Sequence, residues 1–351
     1  MPRRFLFYRL RTLFSISIIW VIFGIVFFEN LVLGFDLGVE VSIFQFVVTY
    51  TIAGTLISAT LIFYLKPAFT DKPFWLSVLI KMALTILLFF AIAFILLLLY
   101  YVFLYNKSFE AYIRSFFTKI LETRTFYVFM LDMGITTLLT ILLLEITDKY
   151  GPGMFWSVLI GEYHKPVIQN RLFIFLDINE STSIAEQLGH EKYFRMLRRF
   201  FADITIPVLA NDGEIYQYVG DEIVLTWPNT PENKQKSIKF IRNTYYLIER
   251  YKEQYLKRFG KVPRFKTGVH AGEVTAGFIG VIKRDLLYSG DTINTAARIR
   301  SMCNELNESF ILSEDFMHDF STPHGYTIDE IGTIELKGRS EPTKLYALKF
   351  E

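Results

Sequence analysis

Residues 173–178 read Phe173-Ile174-Phe175-Leu176-Asp177-Ile178, an apolar strand-like run that reaches a carboxylate near its end. A second run, Ile215-Tyr216-Gln217-Tyr218-Val219-Gly220-Asp221, ends on a carboxylate after a glycine. A lone charge beside a buried strand costs free energy unless something pairs with it. If the two strands are neighbours, both carboxylates point to one edge of the sheet. A hard divalent cation such as magnesium suits such oxygen ligands, so Asp177 and Asp221 form a candidate metal site.

The pattern around these runs alternates between strand-like and helix-like segments, which predicts an α+β layer. We expect a hairpin from Ile215–Tyr218 and Ile223–Trp227, with Gly220 supplying the conformation of its tight turn. Arg264–His270 and Val274–Ile279 are expected to be two strands around Ala271-Gly272-Glu273. We expect the helices of this half to cover one face of the sheet. A turn aspartate can also be simply a turn residue, which leaves a structural interpretation of Asp221 open.

A helix is predicted from Thr292 to about Met302, after the turn Gly290-Asp291. Asn294 and Arg298 are four residues apart and therefore share one face of this helix. An amide and a guanidinium on one face can fork onto phosphate and sugar oxygens. A solvated polar face is the alternative interpretation.

The first half of the 351-residue chain has a different character. Four apolar stretches near bilayer-spanning length predict about four transmembrane helices; they are Leu13–Leu33, Ser42–Leu65, Phe74–Tyr105 and Phe126–Ile146. Arginines precede the first stretch and acidic residues follow it, so the positive-inside rule places both chain ends in the cytoplasm. We expect a membrane domain over residues 1–147, a juxtamembrane linker over 148–169 and a cytoplasmic domain over 170–351. The lipid bilayer, as the cell's inner (plasma) membrane, is the expected location.

Composition excludes several classes of function. The formal net charge of +2 and the lack of a basic stripe argue against a nucleic-acid partner. One cysteine, Cys303, cannot form an intramolecular disulfide or a cysteine-based zinc cluster. A thiol nucleophile at Cys303 is conceivable, but unpartnered cysteines are mostly structural. The five histidines are scattered along the chain without metal-ligand spacing.

Taken together, the second half resembles a class III nucleotide cyclase domain, over most of residues 170–350. Five motifs in order carry the resemblance. They are Phe175-Leu176-Asp177-Ile178-Asn179-Glu180-Ser181-Thr182, Val219-Gly220-Asp221-Glu222, Gly268-Val269-His270-Ala271-Gly272, Tyr288-Ser289-Gly290-Asp291-Thr292-Ile293-Asn294-Thr295-Ala296-Ala297-Arg298 and Glu335-Leu336-Lys337-Gly338. The resemblance implies a ferredoxin-like α+β catalytic fold, here behind an α-helical transmembrane bundle.

The resemblance also implies a reaction. Members of the family join the ribose 3′-hydroxyl to the α-phosphate of a nucleoside triphosphate and release pyrophosphate, using two divalent metal ions, Mg²⁺ or Mn²⁺. Asp177 and Asp221 match the metal-binding aspartates, and the carbonyl of Ile178 would complete one site. Asn294 matches the residue that orients the ribose, and Arg298 matches the arginine that stabilises charge on the phosphate. Lys337 resembles a lysine near the terminal phosphates.

In this family the site lies between two catalytic domains, one supplying the aspartates and the other the asparagine and arginine. One chain with one full set therefore implies a homodimer with two shared sites, and the membrane helices would hold the second copy close. The resemblance makes ATP the expected substrate, with GTP as the alternative. Two positions depart from the adenine-selecting pattern, because Gln217 stands where a lysine is usual and Leu287 where aspartate, threonine or serine is usual.

Three other hypotheses remain from the sequence. The chain could be a guanylate cyclase, or a nucleotide-binding signalling module with little turnover, since the base-contacting positions are altered. It could also be a channel or transporter with a regulatory domain, although few polar residues line the apolar stretches. Asp132, inside the fourth stretch, is a carboxylate for which a functional role can be considered. The alternative is a structural position near the interface or inside the bundle, hydrogen-bonded to a neighbour.

Overall fold

The structure is a computed structural model. It describes residues 3–34, 43–66, 68–69, 72–104, 106–120, 124–150, 161–282, 284–336 and 342–350. The chain forms two compact units, one mainly Leu6–Pro152 and the other mainly Gly153–Glu351. We call them the helical unit and the α+β unit. Two of the sequence predictions fall outside the described residues, namely most of the linker (151–160) and Lys337.

The described residues of the helical unit form five α-helices, three of which continue into short π-helical turns. They are α1 (Arg3–Gly34), α2 (Ile43–Thr60, continued by Leu61–Leu65), α3 (Phe74–Leu99, continued by Tyr100–Leu104), α4 (Phe109–Ser115, continued by Phe116–Ile120) and α5 (Arg124–Tyr150). Within the described ranges, three helical segments are long and apolar enough to cross a membrane; they are Thr12–Glu29, Phe74–Phe103 and Phe126–Thr147. The predicted second span holds a shorter apolar helix, Tyr50–Leu65.

Polar side chains connect the helices of this unit. The indole of Trp20 donates a 3.1 Å hydrogen bond to the hydroxyl of Thr140, which joins α1 to α5. A 2.8 Å ion pair between Lys81 and Glu145 joins α3 to α5. Lys81 is almost fully buried, so its ammonium needs this partner. Asp132 is half-buried on α5.

The α+β unit is built on one mixed sheet of eight strands. The strands are β1 (Val167–Ile178), β2 (Glu214–Val219), β3 (Glu222–Pro228), β4 (Phe265–Ile279), β5 (Asp285–Ser289), β6 (Phe310–Ser313), β7 (Tyr326–Ile334) and β8 (Thr343–Phe350). Their order is β2-β3-β1-β4-β6-β8-β7, and β5 pairs with β4. The central strand β1 runs antiparallel to both of its neighbours, β3 and β4. This confirms the predicted α+β fold.

Helices lie on both faces of the sheet. The helices of the unit are α6 (Ser181–Leu188), α7 (His190–Ala210), α8 (Pro231–Arg250), α9 (Lys252–Phe259), α10 (Asp291–Glu305) and α11 (Glu314–Met317). Alternate residues of β1, such as Leu172 and Ile174, pack in one core with helices α6–α9 and α11. The intervening Phe173 and Phe175 pack in a second core that contains Ala296 of α10. The prediction that all helices cover one face was wrong, because β1 has apolar side chains on both faces.

Strand β4 is continuous from Phe265 to Ile279, so the prediction of two separate strands was also wrong. Its glycines do not interrupt the strand. Because they lack side chains, they allow helix α10 to pack closely against it. A Cβ atom on Gly268 would lie 2.2 Å from the backbone nitrogen of Arg300 and 2.7 Å from the carbonyl oxygen of Ala296. The missing side chain therefore sets the distance between α10 and the sheet.

We expect Gly268→Ala to lower the free energy of unfolding by about 1–3 kcal/mol, because the added methyl group must push α10 away from β4. Thermal unfolding of the full-length protein in detergent measures the effect. Gly277→Ala in the same strand is the matched control, since its Cβ would come no closer than 3.5 Å, to the Cα of Pro166. Equal stability of the two variants would contradict the close approach.

Cys303 lies on the sheet side of α10 and is buried. Its thiol donates to the carbonyl oxygen of Thr267 at 3.5 Å. Burial raises the pKa of the thiol to about 12. Because the thiolate is the nucleophile, this cysteine is a packing residue and not a catalytic one.

We therefore expect Cys303 to react very slowly with 5,5′-dithiobis(2-nitrobenzoate) at pH 8 in the native protein, and rapidly after unfolding in guanidinium chloride. Absorbance of the released thiolate measures both rates. Ser301→Cys supplies an exposed thiol on the same helix as a control that should react at once. Native labelling of Cys303 as fast as this control would contradict its burial.

Candidate functional site

Two carboxylates meet where β1 ends. Asp177 is the last residue but one of β1, and Glu222 at the start of β3 is its cross-strand partner. Asp221 therefore sits in the turn between β2 and β3, beside the end of β1. Gly220 has a φ of +64° in this turn, a conformation that favours glycine. The Asp221 carboxyl lies within hydrogen-bonding reach of the Asp177 carboxyl and raises its pKa, so the structure brings the two predicted metal ligands together.

The environment of this pair disfavours free negative charge. Burial raises the pKa of the Asp177 carboxyl, and the hydrogen bond with Asp221 raises it further, while the guanidinium of Arg300 opposes both. Burial also raises the pKa of Glu222, against the same guanidinium. Two carboxylates in contact cannot both stay ionised without a cation or a shared proton. The edge is thus short of positive charge.

Two cations that the sequence analysis missed lie at this edge. The Nη1 atom of Arg300 is 3.3 Å from Oδ2 of Asp177, and its Nε atom is 2.6 Å from Oε2 of Glu222. The ammonium of Lys266 is 3.5 Å from Oδ2 of Asp177. Lys266 is the cross-strand partner of Asp177 in β4, so an opposite-charge pair between predicted neighbouring strands was the available signal. No comparable signal pointed to Arg300.

The donor set fits a hard divalent cation. In the part of the chain that the structure describes, no group of three or more His, Cys, Asp or Glu side chains is arranged to hold a metal. Magnesium commonly needs only one or two carboxylates, with water and substrate phosphates filling its other positions. Asp177 and Asp221 supply two, and the carbonyl of Ile178 is next to them in sequence. Glu222 adds a third carboxylate at this edge, and its Oε2 atom is paired with Nε of Arg300 at 2.6 Å.

Asn294 and Arg298 lie on α10, away from their own chain's acidic pair. Asn294 is exposed and donates weakly to the carbonyl oxygen of Gly290 at 3.4 Å. Arg298 has an ion-pair contact of 3.8 Å with Asp291, and its Nη1 atom is buried without a hydrogen-bond partner. Among the described residues, neither side chain has a hydrogen bond or ion pair to the two aspartates. Arg300 faces Asp177 and Glu222, and positions two apart on a helix face different directions.

The predicted base-contacting residues lie on two different strands. Gln217 is exposed on β2, at a shift in its register with β3. Leu287 is half-buried on β5, opposite Gly277 of β4. Their sequence neighbours touch, since the backbone N–H of Tyr288 donates to the Tyr216 hydroxyl at 3.3 Å and the two rings are 5.0 Å apart. The structure thus brings β2 and β5 into contact at these positions.

The sequence of the α+β unit is similar to those of known nucleotide cyclases. A family profile described as adenylate and guanylate cyclase catalytic domain matches residues 164–349. "Adenylate cyclase 2" of Rhizobium meliloti is 34% identical over 209 residues, which cover 59% of this chain and 58% of that protein. "Adenylate cyclase" of Anabaena cylindrica is 22% identical over 59% of this chain and 43% of its own length. This chain therefore spans less than two thirds of either relative.

Among solved structures, a bacterial light-regulated adenylyl cyclase is similar with a TM-score of 0.50 and 19% identity, covering 61% of this chain and 62% of that chain. At this identity the similarity concerns the fold alone. The family match covers more than half of the sequence and includes the acidic edge and α10. The chain therefore belongs to the adenylate and guanylate cyclase catalytic domain family.

Proposed function

We propose that the chain is a membrane-anchored, homodimeric adenylate cyclase that converts ATP to 3′,5′-cyclic AMP and pyrophosphate. The observation that carries the proposal is the contact between the Asp177 and Asp221 carboxyls at the end of β1. It is supported by the family match and by relatives named adenylate cyclase. We assign residues 170–351 to catalysis, 148–169 to a linker and 1–147 to the membrane, with the catalytic part in the cytoplasm at the plasma membrane.

In the proposed reaction the ribose 3′-hydroxyl loses its proton, its oxygen bonds to the α-phosphorus, and pyrophosphate leaves. Asp177, Asp221 and the carbonyl of Ile178 would hold two divalent cations, Mg²⁺ or Mn²⁺. Such cations, when bound, acidify the hydroxyl and neutralise charge on the triphosphate. Asn294 orients the ribose. Arg298 stabilises the negative charge that develops on the phosphate.

The direction of α10 supports a site shared between two copies. Arg300 pairs with the acidic residues of its own chain, whereas Arg298 lies on a different side of the helix. Arg298 would therefore act on a triphosphate held by the aspartates of a second copy. In a symmetric dimer this arrangement produces two equivalent sites. Three helical segments long and apolar enough to span a bilayer would keep the copies together.

We expect Asp177→Ala and Asp221→Ala to abolish cyclic AMP formation, because each leaves one carboxylate where two are needed to hold the cations. Arg298→Ala should lower kcat by about 10²–10³-fold, the usual loss for one preorganised charge-stabilising donor. Product chromatography with ATP and Mg²⁺ or Mn²⁺ measures both. Arg242→Ala, on α8 and stacked over Tyr326, is the control that should keep activity.

An experiment that mixes two inactive variants distinguishes a site shared between two chains from a site contained within one chain. A mixed dimer of Asp221→Ala and Arg298→Ala chains contains one site in which every residue is intact. Random pairing makes half of the dimers mixed, so activity should recover to about one quarter of the wild-type value. No recovery, with mixed dimers verified by two affinity tags, would contradict the shared site and leave the family assignment in place.

Guanylate cyclase is the second candidate, because part of the adenine-selecting pattern is absent. Gln217 stands on β2 where adenine-selecting family members usually have a lysine, and its amide can donate to or accept from either purine edge. Leu287 cannot do either. Family frequency and the named relatives favour ATP, so we keep ATP as the substrate.

We expect kcat/KM for ATP to exceed that for GTP, and Gln217→Lys to widen the difference by about tenfold, because lysine is the usual residue at this position in adenine-selecting members of the family. Parallel assays with the two nucleotides measure the ratio. A preference for GTP would identify a guanylate cyclase. Binding of a non-hydrolysable triphosphate without any cyclic product, even at high Mn²⁺, would instead favour a nucleotide-binding signalling module.

A further inference from the structure

Arg300 is held in a fixed position beside the acidic edge. Its backbone rests against β4 at Gly268, where a Cβ atom would lie only 2.2 Å from the Arg300 nitrogen. Helix α10 therefore cannot move closer to the sheet, and a bulkier residue at position 268 would move it away. From this position the side chain reaches over the ends of β1 and β3. It is about one quarter exposed, so its pairs are only partly screened by water.

One guanidinium serves two carboxylates at this edge. Arg300 contacts Glu222 at 2.6 Å and Asp177 at 3.3 Å. The second cation, Lys266, is farther from Asp177 at 3.5 Å and is also engaged by the side-chain oxygen of Asn304 at 3.0 Å. Three carboxylates, counting Asp221, thus share two cations. Arg300 is the one that bridges the end of β1 to the start of β3.

This arrangement has opposite consequences for folding and for metal binding. A guanidinium stays charged at every accessible pH, so it neutralises buried carboxylates permanently. Without it, Glu222 and Asp177 would be left as poorly paired buried charges. A divalent cation bound by Asp177, however, would lie within a few ångströms of this fixed positive charge and be repelled by it.

Resting on the proposed function for the metal site, we propose that Arg300 is a positioning residue that acts as a resident counter-ion. It holds Asp177 and Glu222 in place when no metal is bound, and it weakens the affinity of the site for divalent cations. When a divalent cation binds Asp177, it therefore partly replaces the Arg300 guanidinium as the counter-ion of that carboxylate. The residue differs in role from Arg298, which faces elsewhere on α10.

The test uses the full-length protein in detergent without nucleotide, and Mn²⁺ alone as the probe. Electron paramagnetic resonance gives the free Mn²⁺ concentration and thermal unfolding gives the stability without metal. Arg300→Gln and Arg300→Met remove the charge, and the glutamine amide can still donate to Glu222, which protects folding. Arg300→Lys keeps the charge. Arg242→Gln removes a cation that lies over Tyr326 on α8. Asp177→Asn defines the signal that belongs to this site.

We expect Arg300→Gln and Arg300→Met to bind Mn²⁺ about tenfold more tightly than wild type, and to unfold at a lower temperature without metal. Arg300→Lys should restore both values towards wild type, and Arg242→Gln should change neither. A purely structural role would lower stability without tightening Mn²⁺ binding.

Unchanged or weaker Mn²⁺ affinity in a folded Arg300→Gln variant would overturn the role of Arg300 alone. Absence of any Asp177-dependent Mn²⁺ signal in all variants would overturn it together with the metal part of the proposed function. The cyclase assay is independent of both results, so the two failures can be told apart.

Discussion

The close approach of two acidic side chains, Asp177 and Asp221, is the constraint that the rest of the α+β unit has to accommodate. The β2–β3 turn delivers one carboxylate to the buried end of β1, where the other already stands. Two carboxylates at the end of β1 do not increase the stability of the fold, because each loses hydration and gains a neighbour of the same charge. Such an arrangement is retained at sites that bind a cation, and the adjacent Arg300 and Lys266 keep it folded in the meantime.

Helix α10 relates this acidic edge to the rest of the proposed chemistry. It packs closely against β4 because Gly268 has no side chain, and its own residues Ala296 and Ile299 are buried. This packing fixes the rotation of the helix, which points Arg300 at its own chain's carboxylates and leaves Arg298 on another side. The same rotation cannot bring both arginines to one place. A second copy is then the natural source of the aspartates that Arg298 would serve.

The sequence predicted the fold class and the meeting of the two aspartates, because both follow from apolar runs that end in a charge and from a glycine turn. It did not predict that Gly272 would lie inside one long strand, since glycine suggests a break when nothing shows what packs against it. The sequence pattern of β1 likewise did not predict that helices would cover both of its faces. Arg300 was missed because helical periodicity says which residues share a face, but not which face meets the sheet.

The polar contacts of the helical unit have a consequence of their own if that unit lies in a bilayer. Trp20 and Lys81, from α1 and α3, both bind partners on α5, and Tyr50 of α2 contacts Thr136 of α5 at 3.2 Å. In hydrocarbon such contacts have no water to replace them when broken, so they favour one packing of the bundle. Helix α5 is the common partner of these contacts, and it is the last described helix of the helical unit.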